Sequence, residues 1–215
     1  MPSGVISHQA PGLFLKIKFP NKFDGTALCI STLVPDLNIL VNFFLPFSFR
    51  NITHSLLGLL IYTIPLTILL TMLFRTYISP LVANIVKKDR KIYQPLRYFG
   101  IDEWDRLKEK RYNKKYFIVA SYSALIGGLT HILLDVPAHH YIQLFFPLVI
   151  QSPDILLYSI VDFGTIYIGP LQIERNLTVA RLIWIVEDTI MLIITLYLLR
   201  YIKKYNLIDK WYNEA

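Results

Sequence analysis

The sequence predicts an all-α integral membrane protein of about four transmembrane helices plus a re-entrant or interfacial segment. Three observations carry that expectation. Only 17% of residues are charged and the mean hydropathy is +0.45, against about 25% charged residues in a soluble domain. Ser55–Phe74, "SLLGLLIYTIPLTILLTMLF", holds no charge, and it has the length a helix needs to cross about 30 Å of hydrocarbon. The basic excess is gathered into one loop and the C-terminal tail, the pattern that orients a membrane protein.

The start, "MPSGVISHQAPGLFLKIKFP", lacks a basic opening, and Pro11 and Gly12 break its short apolar part, so no cleavable signal is expected. Five apolar segments follow, at roughly 25–49, 55–77, 116–134, 141–161 and 182–199. The second and third have the cleanest character of membrane helices. Pro65 predicts a kink in the second, which a membrane helix tolerates. The fifth is apolar except for Glu187 and Asp188. The fourth contains Pro147, Pro153 and Asp154. A full crossing there would leave residue 182 on the wrong side, so the fourth reads as the re-entrant or interfacial piece. The whole of 1–215 reads as one membrane domain, with a basic cytoplasmic loop at about 78–115. In that loop "IDEWDRLKEKRYNKKY" predicts a short amphipathic helix on the membrane surface.

From Arg75 to Lys115 there are twelve Lys or Arg against five acids, whereas Arg175 and Arg181 are the only basic residues between 135 and 181. The positive-inside rule therefore predicts a multi-pass plasma-membrane protein with this loop and the C-terminus in the cytoplasm. Topology accounts for most of the net charge of +7, so no nucleic-acid surface is expected; the partner expected is membrane lipid. The chain carries no signal of its oligomeric state. A single cysteine, Cys29, excludes an internal disulfide and a thiolate metal cluster.

On this topology three segments bring ligand-type side chains to the outer face. In "GGLTHILLDVPAHH", His131 and Asp135 lie four apart on one helix face, a spacing that lets both grip one ion. Pro137 ends the helix, so His139 or His140 can fold back. His54 lies at the outer end of the second segment, where Thr53 or Asn51 is placed to cap the helix. Glu187 lies under two turns below the outer end of the fifth. Asp36 follows Pro35 in "LVPDLN", and His8 opens the chain in "SHQAPG". A carboxylate within a membrane needs a partner, and a divalent cation supplies one. Imidazole and carboxylate donors without sulfur suit Zn²⁺ best, with Mn²⁺ or Fe²⁺ as alternatives. Five histidines with several acids are enough for two ions. Asp36 or Asp135 would then bridge metals, or one of them would serve as a base. His8 raises a conflict, because Lys16, Lys18 and Lys22 favour a cytoplasmic N-terminus. Either residues 5–15 dip into the bilayer, or the N-terminus lies outside and 25–49 is a half-inserted helix.

The blocks "SHQAPG", "STLVPDLN", "NITHSLLGLL" and "GGLTHILLDVPAHH" resemble the motif blocks of a prokaryotic integral membrane family known as a domain of unknown function. That family is similar to the membrane-bound metal-dependent hydrolases and distantly like the zinc-dependent phospholipase C family. The resemblance covers roughly residues 1–150. It implies a metal set of His8, Asp36, His54, His131 and Asp135, with His139 or His140 as a further ligand; Glu187 rests on topology alone. The function expected is a membrane-embedded metal-dependent hydrolase acting on a phosphodiester or ester at the interface, such as a lipid head group. The alternative is a metal-binding or ion-transporting membrane protein without hydrolytic activity.

Overall fold

The N-terminal third builds a hairpin of two short helices. Helix α1 (Gln9–Lys18) is followed by a turn and by α2 (Gly25–Ser31). Asp24 caps α2 by accepting a hydrogen bond from the Ala27 amide at 2.9 Å, satisfying one of the orphan donors of the first turn. After α2 a 3₁₀ turn, Val34–Leu37, and two further short helices, Asn38–Asn42 and Arg50–Thr53, lead to α3 (Leu56–Val86). The computed structural model describes residues 4–42, 49–109, 112–138, 141–168 and 171–212.

Three helices are long and apolar enough to cross a membrane: α3, α4 (Lys114–Asp135) and α5 (Val179–Lys204). Each begins where a short polar side chain is available. Ser55 accepts from the Gly58 amide at 3.0 Å, Asn113 from Tyr116 at 2.9 Å and Thr178 from Arg181 at 3.2 Å. Ser55, rather than Thr53 or Asn51, is therefore the cap of α3. Helix α3 widens into π-helical turns at Leu59–Thr63 and Phe74–Ile78. Each wide turn runs up to a helical segment with a proline in its first turn, Pro65 or Pro80. A proline there cannot donate to the carbonyl four residues back, and its ring pushes that carbonyl away. The predicted kink is thus realised as a local widening.

Among the described residues three helices can span, and a fourth is not among them. Over the described residues 25–42 of the run 25–49, a seven-residue α2 gives way at Pro35 to the 3₁₀ turn and the short helix Asn38–Asn42. The chain is also mostly helical rather than all-α. An antiparallel hairpin of β3 (Ser159–Ile168) and β4 (Leu171–Thr178) precedes α5, and a two-residue pair, β1 (Tyr141–Ile142) and β2 (Ile150–Gln151), precedes that hairpin. Ile160, Val161, Thr165, Ile166, Ile168, Ile173 and Thr178 give these strands a β-branched content that a pleated surface accommodates better than a helix.

Close approach at glycine brings the hairpin to α4. A Cβ on Gly127 would lie 2.0 Å from Ser31 Oγ, and one on Gly128 would lie 2.7 Å from the Leu59 side chain. Small residues give interhelical packing its close contacts in a membrane. The buried face of α4 runs Ala120, Ala124, Gly127 and Gly128 to His131 and Ile132, so the histidine lies in the last buried turn of the stripe.

At the opposite end of the bundle the polypeptide 87–109 forms short helical turns packed on α3 and on α6 (Leu207–Tyr212). The segment expected as an amphipathic surface helix is a 3₁₀ helix, Ile101–Glu109. Trp104 packs edge-on against Phe74, and Arg106 pairs with Asp209. An apolar cluster including Leu107, Leu198, Ile202 and Ile208 forms the core of this end, and beside it Arg75 and Asp24 are fully buried and joined at 2.6 Å. Arg75 also donates to Thr26 and to the Tyr212 hydroxyl.

Candidate metal centre

The ligand-type residues meet at the other end, where α3 begins and α4 stops. The 3₁₀ turn at Pro35 presents Asp36, the turn before Ser55 presents His54, and the last turn of α4 presents His131 and Asp135. One ligand atom from each of these four lies within 4.8 Å of all the others. His131 is 1% exposed and His54 9%, whereas the Asp36 side chain is 54% exposed. The site is therefore walled by imidazoles and opens past a carboxylate.

The distances suit a shared cation better than direct pairing. His54 Nε2 lies 3.4 Å from Asp36 Oδ1 and 3.9 Å from Asp135 Oδ2. His131 Nε2 lies 3.7 Å from Asp36 Oδ1 and 3.8 Å from Asp135 Oδ2. Both Nε2 atoms are buried and make no hydrogen bond among the described residues. Donor atoms about 2.0–2.1 Å from a tetrahedral ion are separated from one another by roughly 3.4 Å. The four His–Asp spacings begin at that value, and every pair in the set lies within 4.8 Å.

The tautomers follow from hydroxyl groups behind two of the rings. Thr53 Oγ1 donates to the Arg50 carbonyl at 3.1 Å, so its contact with His54 Nδ1 at 3.0 Å uses a proton carried by the imidazole. Asn38 Nδ2 also donates to Thr53, at 3.3 Å. His54 then turns a bare Nε2 lone pair toward the two carboxylates. Ser7 repeats the arrangement: its hydroxyl donates to Asp188 Oδ1 at 2.5 Å, leaving it to accept from His8 Nδ1 at 3.2 Å. His8 Nε2 faces Asp135 Oδ1 at 3.3 Å. Outer groups of this kind fix ring orientation and ligand basicity in metal sites. Burial, the larger influence, holds the His54 imidazole below its ordinary range and outweighs the opposing pull of Asp36. Burial raises Asp36, but facing His131 and His54 brings its carboxyl well below the usual range. Neutral imidazole and ionised carboxylate are the forms that bind metal.

Asp135 offers its oxygens to different partners, with Oδ1 toward His8 and Oδ2 toward His54 and His131. Arg50 Nη2 lies 3.9 Å from Oδ2, at the rim. Glu187 stands apart from the four-residue group. It lines a cleft beside His8 together with Ser7, Leu134, Trp184, Asp188 and Met191. His139 and His140 lie outside the described residues. The conflict over His8 resolves through the hairpin. The Ser7 carbonyl accepts from Thr195 on α5, whereas Lys16 Nζ lies over the Trp211 ring of α6. Helix α1 thus runs away from the site and α2 returns to it, so His8 and Asp36 sit at one end and the lysines at the other.

Ser7, Asn38, Arg50, Thr53 and Asp188 were not singled out as site residues by the sequence. A signal did exist, because three of the histidines directly follow a hydroxyl residue: Ser7–His8, Thr53–His54 and Thr130–His131. In the first two the hydroxyl holds Nδ1; Thr130 instead donates to the Gly127 carbonyl.

A family described as a domain of unknown function (DUF4184) matches residues 1–204. The chain belongs to this family. The match takes in all four motif blocks and extends through α5, so Glu187 and Asp188 fall within the family domain. No curated protein and no solved structure matches the chain.

Proposed function

We propose that this DUF4184 protein is a membrane-embedded, metal-dependent hydrolase whose substrate is a phosphodiester or ester at headgroup depth. The observation that supports it best is the convergence of Asp36, His54, His131 and Asp135 from three separate parts of the chain, with the His54 lone pair fixed from behind. Zn²⁺ fits this nitrogen and oxygen set, and Mn²⁺ and Fe²⁺ share the same donors. A second ion would be held from His8 and Oδ1 of Asp135, on the side where Glu187 lines the cleft. When bound, such ions polarise an ester oxygen and lower the pKa of a water toward about 7.

The chain's own groups divide the remaining work. With ions bound, Asp36, the most open of the four, would accept the proton of an attacking water, and Asp135, whose oxygens face His8 on one side and His54 and His131 on the other, would hold both ions. Arg50 at the rim supplies a guanidinium suited to an anionic phosphoryl group. With the Lys- and Arg-rich turns in the cytoplasm, the site faces outward in the plasma membrane, and a lipid head group is the natural substrate class there.

The reading without hydrolysis has one observation in its favour. Thr63, Thr67, Thr71 and Arg75 form a fully buried polar stripe along α3. The three threonine hydroxyls and Arg75 Nη1 make no hydrogen bond among the described residues. Intramembrane polar stripes also build ion pathways.

One experiment separates the two. Metal is counted per chain in the purified protein and in His131→Ala and Asp135→Ala, and each is assayed on a chromogenic phosphodiester and in proteoliposome flux. The hydrolase loses metal and turnover together. Flux without ester turnover would establish the transport reading, and absence of stoichiometric metal from the wild type would sink both.

A further inference from the structure

Residues 141–161 carry a single charge, Asp154, yet the structure leaves much of their apolar surface open. Leu148 is 68% exposed, Ile155 71%, Tyr158 69% and Phe163, just beyond, 65%. Phe145, Val149, Ile150, Ile160 and Val161 are also exposed. Singly scattered apolar residues are normal on a protein surface, but a continuous run of this size marks an interaction surface.

Its place in the fold says what covers it. The Leu144 carbonyl accepts from the Leu56 amide at 2.9 Å, two residues beyond His54. The Tyr158 carbonyl accepts from Val179, the first residue of α5, at 3.0 Å. The segment is thus tied to the site-side ends of two helices that are long and apolar enough to span. The most apolar window of α5 is only 11% buried, so its open sides continue into the same apolar surface. The cationic turns of 87–109 lie at the opposite end; the charges at this one include Asp154 and Asp162 within the segment and Arg181 at the start of α5, which donates to the Asn176 carbonyl.

We propose that residues 143–163 lie in the membrane interface as a second anchor, with the acyl region of the site-side leaflet as their occupant. Exposed aromatic and branched side chains at the end opposite the basic loop suit burial at the acyl boundary rather than electrostatic attraction to head groups. Tyr158 and Phe163 supply aromatic rings, and tyrosine in particular favours headgroup depth. The anchor holds the mouth of the metal site, past Asp36 and Arg50, level with the ester region of the lipids. Resting on the hydrolase reading in this part alone, it further means that substrate arrives laterally from the leaflet rather than from water.

The test uses the full chain in lipid nanodiscs, with Cys29→Ala as background and an environment-sensitive fluorophore at Ile155→Cys or Phe163→Cys. Asp89→Cys, whose native side chain is fully open at the other end, is the aqueous control. Quenching by lipids with a shallow acyl nitroxide, with protection from aqueous iodide, is the expected result. Iodide quenching equal to that at position 89 overturns the proposal. Protection from both quenchers in a chain that runs as a dimer also overturns it, since a second copy would then be the cover. A functional arm adds Ile155→Glu with Phe163→Glu. This variant should keep its metal count and its turnover of a soluble phosphodiester, and lose about tenfold or more on vesicle-embedded substrate. Equal turnover of both substrates refutes lateral supply while leaving the anchor to the quenching data. A wild type without esterase activity refutes the hydrolase reading alone.

Discussion

Thr53→Val removes one oxygen and leaves the shape of the side chain nearly intact. The Thr53 hydroxyl is tied to the Arg50 carbonyl at 3.1 Å and so accepts a proton from His54 Nδ1 at 3.0 Å. Without it, the buried imidazole keeps its proton on either nitrogen, and the form with Nε2 protonated cannot ligate. The Asn38 amide also loses its acceptor. Outer-sphere partners of this type are worth about 10–100-fold in metal affinity, or about 1.4–2.7 kcal/mol. The assay is competition titration of Zn²⁺ against a chelator, with Co²⁺ spectra reporting ligand geometry. The weakening must vanish in a His54→Ala background, because the hydroxyl acts only through that ring. Equal affinities for wild type and Thr53→Val, with unfolding temperature unchanged, would refute the tautomer argument. So would an undiminished loss in the His54→Ala background.

Three further outcomes follow from the geometry. Arg75→Ala removes the guanidinium that faces the buried Asp24 carboxylate at 2.6 Å. It should cost about 3–5 kcal/mol, seen as a fall in unfolding temperature in detergent, while Tyr212→Phe costs about 1 kcal/mol. Gly58→Ala places a Cβ 1.9 Å from the Ile52 carbonyl oxygen, so the turn carrying His54 must shift. Metal content should drop even where the helices persist by circular dichroism. Metal retention should decline only at a pH under the ordinary imidazole value of about 6.5, because imidazoles must be neutral to bind and burial keeps His54 neutral to lower pH. The His54 pKa, held low by burial in the folded chain, also means the unfolded chain takes up more protons in that window. The metal-free protein therefore loses stability on acidification through it and gains none above it; thermal scans at graded pH check the sign.

Much of the frame was legible because hydrocarbon imposes a plain rule. The apolar runs 55–77, 116–134 and 182–199 became α3, α4 and α5, with ends shifted by a few residues or extended into the loop. The His131–Asp135 pair was legible for the same reason, since helical spacing alone fixes a shared face. What composition cannot show is how a half-length apolar stretch is used. The run 25–49 has the composition of a span, but in its described part Pro35 sits at the start of a 3₁₀ turn that presents Asp36. The hairpin at 159–178 escaped because its β-branched residues were read only as hydropathy. The outer groups Ser7, Asn38 and Asp188 act across 181 residues in one case and 15 in another, and no local pattern encodes such contacts.

The wide turns of α3 have a genetic corollary. Four residues of ordinary helix turn through about 400°, so a row spaced by four winds round the axis by about 40° at each step. Thr63, Thr67, Thr71, Arg75 and Ser79 are spaced this way and all stay buried, and the looser π geometry at Phe74–Ile78 offsets the drift over the last step of the row. Each loosened turn is therefore a place where the gene can lose one codon and leave the flanking rows aligned. The same deletion at Leu69 would swing everything on one side of it by about 100°, pulling Arg75 away from Asp24.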